Sequence, residues 1–72
     1  MNLQSTVTKE KFRVSNEQSE TFIEMAQMLA VKADFWVSDF KLDEGDFWTT
    51  ISVTVTSEDN KILSQIEKDL NN

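Results

Sequence analysis

The stretch FWVSDFKLDEGDFWTTISVTVT, Phe35 to Thr56, carries the single glycine of the chain, Gly45, between two runs rich in aromatic and β-branched residues. Runs of this kind on either side of a turn residue predict a β-hairpin. Pairing residues whose numbers sum to 89 sets Leu42 against Phe47, Phe40 against Thr49, Ser38 against Ile51 and Trp36 against Val53. Successive strand side chains point to opposite faces, so this register collects the large apolar groups on one side. Asp39, Lys41, Trp48, Thr50, Ser52 and Thr54 fall on the other. The turn is expected at Asp43-Glu44-Gly45-Asp46, with Gly45 at the second central position, where a positive φ is needed.

A hairpin that is apolar on one side needs cover, and the flanking segments supply it. Thr6 to Val14 alternates, with Phe12 and Val14 on one face and Lys9, Lys11 and Arg13 on the other, which reads as a strand with a basic outer face. Exposed Lys and Arg on such a strand guard a sheet edge. Ser15-Asn16-Glu17-Gln18 has the form of a capping box. Phe22, Met25, Ala26, Leu29 and Ala33 then recur at helical spacing, widened by Ile23 and Ala30, and predict a helix over 16–33. Thr56-Ser57-Glu58-Asp59 is a second helix start, and Ile62, Leu63, Ile66 and Leu70 form the apolar face that follows. The expected architecture is α+β: a two-layer sandwich of order β-α-β-β-α, with a three-stranded sheet and both helices on one face. The pattern leaves open whether the first strand lies beside the second or the third. The uncovered face would show Phe35, Val37 and Trp48 beside a row of Thr and Ser.

Residues 1–72 make one small domain, with 1–5 and 71–72 expected to be loose. There are no cysteines and no histidines, which removes disulfides, thiolate nucleophiles and the commonest metal ligand. Thirteen acidic residues against seven basic ones give a net charge of −6. A free acidic domain repels nucleic acid and anionic membrane surfaces. The expected partner is therefore a protein with a basic surface, with no direct nucleic acid and no membrane. No apolar run is long enough to span a bilayer, and the first residues lack a signal-peptide core, so the expected location is cytoplasmic.

The chemistry-bearing patterns are thin. Asp39, Asp43, Glu44 and Asp46 gather carboxylates near the turn, but without the spacing of a calcium loop, and turns recruit Asp for backbone reasons. Serine or threonine nucleophiles lack an adjacent base, since histidine is absent and the pattern sets no lysine near a serine. Trp48, opposite Lys41 on the outer face, suits a cation–π contact and an interface. No enzyme, metal or cofactor is expected. The expected function is a non-enzymatic acidic interaction module, a small modulator or inhibitor of another protein. Glu17, Glu20 and Glu24 form a negative ridge on the first helix, and Glu58, Asp59, Glu67 and Asp69 lie on the second. The alternative is a homodimer or small-ligand regulatory module that uses Phe35, Val37 and Trp48 on the open face.

Thr56-Ser57-Glu58-Asp59, followed by Leu63-Ser64-Gln65-Ile66 and Asp69, resembles the end of the DNA-damage-inducible DinI-like family. The element order and the small acidic size are also similar. Members of that family modulate the RecA recombinase filament with an acidic last helix that imitates DNA. The resemblance implies that role for Glu58, Asp59, Glu67 and Asp69.

Overall fold

A computed structural model describes residues 6–72; residues 1–5, expected to be loose, lie outside the described residues. The chain runs β1 (Val7–Ser15), α1 (Ser19–Ala33), β2 (Val37–Glu44), β3 (Trp48–Thr56) and α2 (Asn60–Leu70), with a 3-10 turn before each helix. This is the expected β-α-β-β-α order. The sheet order β1-β3-β2 settles the open question: β1 lies beside β3, antiparallel, and β3 is the central strand.

The alternation in β1 and β3 works as expected. Phe12, Val14, Ile51, Val53 and Val55 turn to one side and are buried against Phe22 and Ala26 of α1 and Leu63 and Ile66 of α2. The Phe12 and Phe22 rings meet at 5.4 Å between centroids. Both helices thus cover one face. Met25, Leu29 and Leu70 close the margin of the core, while Ala33, expected in the helix stripe, is exposed.

The hairpin register differs from expectation. Leu42 pairs with Ile51 and Lys41 with Ser52, so numbers sum to 93, and Val37 pairs with Val55 and Ser38 with Thr54, so they sum to 92. The change is a β-bulge between Ser38 and Lys41, where Asp39 has φ 56°. An inserted residue in the left-handed region is the G1 type of bulge, here built on Asp rather than Gly. The extra residue flips the alternation. Phe40 and Leu42 lie on the covered side, as expected. Below the bulge, Val37 turns to the core and Phe35 packs with it, whereas Trp36, expected in the core, is 60% exposed. Phe35 and Val37 therefore do not belong to the open face.

The turn is also corrected. Gly45 has no positive φ; its amide donates to the Trp48 carbonyl at 2.8 Å, and a Cβ there would sit 3.2 Å from that oxygen. Close approach of backbone, not handedness, is what glycine permits here. The turn is held from outside by Asn16. Its side-chain amide donates to the carbonyls of Gly45 (3.0 Å) and Asp46 (3.1 Å), its carbonyl accepts from the buried Thr49 hydroxyl (2.7 Å), and its backbone N–H donates to the Phe47 carbonyl (3.0 Å).

The expected capping box does not close on the backbone. The Ser15 hydroxyl instead meets the Gln18 side-chain carbonyl at 3.2 Å, and a 3-10 turn, Asn16–Gln18, leads into α1. Thr56 likewise spends its hydroxyl elsewhere, accepting from the Trp36 backbone N–H at 2.9 Å. α1 ends at Asp34, in the left-handed region with φ 61°, and the amides of Asp34 and Phe35 both reach the Ala30 carbonyl.

Candidate interaction surfaces

The two faces of the sheet divide the charge. Antiparallel pairing with β3 sends Lys9, Lys11 and Arg13 of β1 to the uncovered side, opposite Thr54, Ser52 and Thr50. Lys41 joins them from β2, across Ser52 from Lys11. Asp39 and Asp43 are the acids on that side, so four cations stand against two carboxylates, while three cations and eleven carboxylates lie elsewhere. The net charge of −6 conceals a cationic face.

That face has an indole at each end. Trp48, 45% exposed, lies under the guanidinium of Arg13, whose Cζ is 5.0 Å from the ring centroid. The cation–π partner is thus Arg13, not Lys41; the shifted register moves Lys41 away to Ser52. Trp36 lies at the other end, and its indole N–H donates to the Ser38 hydroxyl at 3.1 Å. Between them Lys9, Asp39, Lys41, Ser52 and Thr54 line a shallow hollow of about 370 Å³. Contrary to expectation, lysines do flank a serine here. Lys9, Lys11 and Lys41 are all exposed, and the arrangement sets charge and hydrogen-bond donors on the open face.

The acids singled out on the helix layer fall into two sets. Glu17, Glu20 and Glu24 are exposed along the start of α1, and Glu58 and Asp69 are exposed at the two ends of the α2 segment. Asp69 accepts from the Gln65 side chain at 2.9 Å. Asp59 is half-buried and, with Glu58 and Asp34, lines a hollow beside Trp36 and Thr56. Glu67 is already engaged: its carboxylate accepts from the Arg13 backbone N–H at 2.7 Å, and Asn71, expected to be loose, donates to the Arg13 carbonyl at 2.9 Å. Glu67 of α2 and Asn71 just beyond it satisfy the outward N–H and carbonyl of Arg13 on β1, a free sheet edge, and hinder another strand from pairing at that point.

The exposed apolar groups that sequence reasoning did not place at the surface, besides Trp36, are Val31 (83%), the turn residue Phe47 (77%), Met28 (56%), Val7 (53%) and Leu42 (48%). Among the described residues, no three acidic side chains are placed to hold a metal ion, and no helix is long and apolar enough to cross a membrane. No family model, no curated protein and no solved structure matches this chain.

Proposed function

We propose that the chain is a non-enzymatic interaction module, a small modulator or inhibitor whose acidic helix layer docks on a basic surface of another protein in the cytoplasm. The supporting observation is the exposed ridge Glu17, Glu20 and Glu24, which runs from the 3-10 turn into α1 on the layer opposite the cationic face. Exposed carboxylates add long-range attraction and speed encounter with a cationic patch. The resemblance to the DinI-like family would make that partner a recombinase filament. In that reading Glu58 and Asp69 carry the contact, because Glu67 is committed to the β1 edge.

The alternative, a two-fold dimer through the open sheet face, would set Lys9, Lys11, Arg13 and Lys41 of one copy against the same residues of the other. Like charges so placed oppose association. The test is capture of the partner from the host cell with tagged protein at 50 and 500 mM salt. Retention should fall steeply with salt and drop about tenfold in a Glu17→Gln, Glu20→Gln, Glu24→Gln variant, as for several screened surface charges. Equal retention by that variant would rule out the α1 ridge.

A further inference from the structure

We infer that the open sheet face binds single-stranded nucleic acid, with Lys9, Lys11, Arg13 and Lys41 at the phosphates and Trp36 and Trp48 as stacking platforms for bases. The inference is independent of the acidic docking surface and uses the opposite side of the molecule. Three observations converge on it. Alternation along β1 repeats its cations every second residue, roughly 6.6 Å apart, in a straight row. Thr50, Ser52 and Thr54 of β3 run parallel to that row and offer hydroxyl donors to phosphate oxygens. Two exposed indoles stand at the ends of the same strip, about 25 Å apart along β3 by strand rise, and Trp48 already has the Arg13 guanidinium stacked on its ring, a contact a base would share or displace.

A cationic strip alone would accept any polyanion. The indoles favour a polynucleotide over an acidic peptide, because every unpaired base offers a flat face to stack. A duplex hides those faces, so single strands are the better ligand. The acids of the helix layer do not forbid this. They bear on the ends of the strip, where Asp34, Glu58 and Asp59 line a hollow with Trp36 and Glu17 and Asp46 line one with Trp48, so the phosphates are held along the cations between the indoles. Sequence-wide net charge predicts repulsion, whereas the four cations and two carboxylates that β1 and β2 set on the open face sum to the other sign.

The test is fluorescence anisotropy of a labelled 20-nucleotide oligothymidylate with the full chain, together with the intrinsic tryptophan emission. Sequence-independent binding of this kind should give a Kd on the order of 1–100 μM at 50 mM salt. Four phosphate contacts on a single strand imply a slope of about −2.8 in log K against log salt, or roughly fiftyfold weaker binding at 200 mM. Tryptophan emission should be quenched, and the duplex of the same length should bind more weakly. A Lys9→Gln, Lys11→Gln, Lys41→Gln variant, shown to be folded by circular dichroism, should bind at least tenfold more weakly. Lys41→Gln alone should reduce the slope by about 0.7, which keeps the test available should the triple variant not fold. Three results would overturn the inference. One is unchanged anisotropy up to 100 μM protein. Another is poly-glutamate binding as tightly as the oligonucleotide. The third is self-association by light scattering that disappears in the lysine variant, which would assign the face to the acidic layer of a second copy.

Discussion

The covered and uncovered faces of the sheet are made by the same three strands, and they differ in what they ask of a side chain. On the covered face, Ile51, Val53, Val55, Phe12 and Val14 must fit against two helices, and each is nearly inaccessible. On the uncovered face, Thr50, Ser52, Thr54, Lys9, Lys11 and Arg13 need only remain compatible with a strand. The first face carries the stability; the second is free to carry charge. The difference shows how an acidic chain can keep a cationic surface. Strand alternation sorts residues by parity, and the cations of β1 all have odd numbers.

The sharpest contrast between the faces is energetic. Phe22→Ala, which empties the space against Phe12, should cost about 3–5 kcal/mol, enough to unfold much of a domain this small. Thr50→Ala on the open face should change stability by less than about 0.5 kcal/mol. Thermal melting of the two variants checks this, and equal losses would mean that the uncovered face is packed.

Asn16 tests the rim where the faces meet. Asn16→Ala removes the partners of the Gly45 and Asp46 carbonyls and strands the buried Thr49 hydroxyl. The expected loss is about 1–3 kcal/mol in urea unfolding, and a Thr49→Val change in the same background should recover part of it.

Glu67 tests how the helix layer protects the sheet edge. Glu67→Ala should cost about 1 kcal/mol, less than a buried charged hydrogen bond because the site is partly open, and should speed hydrogen exchange at the Arg13 amide. An unchanged Arg13 amide would show that the contact does not persist in solution.

The residue that divides the faces along β2 gives effects of either sign. Asp39 occupies the left-handed region, so Asp39→Gly should gain about 0.5–1 kcal/mol, whereas Asp39→Val should lose about 1–2 kcal/mol. A gain from valine would mean that the bulge is absent and that Trp36 faces the core.

Much of the fold is written in local patterns that need no knowledge of the rest of the chain. The two-residue period of β1 and β3 and the helical recurrence from Phe22 to Ala30 specify the elements, their order and the covered face. They do so because hydrophobic burial acts on whichever groups share a side. The bulge was legible only in part: the apolar residues of β2 change parity from Phe35 and Val37 to Phe40 and Leu42, which is the trace of one inserted residue. Without a glycine to mark it, that change passes for a strand apolar on both sides. The strand order, the Asn16 clasp on a turn some thirty residues away and the engagement of Glu67 with β1 could not be read from the chain at all. Each joins groups distant in sequence, and a backbone amide gives no sign in the sequence of which side chain will satisfy it.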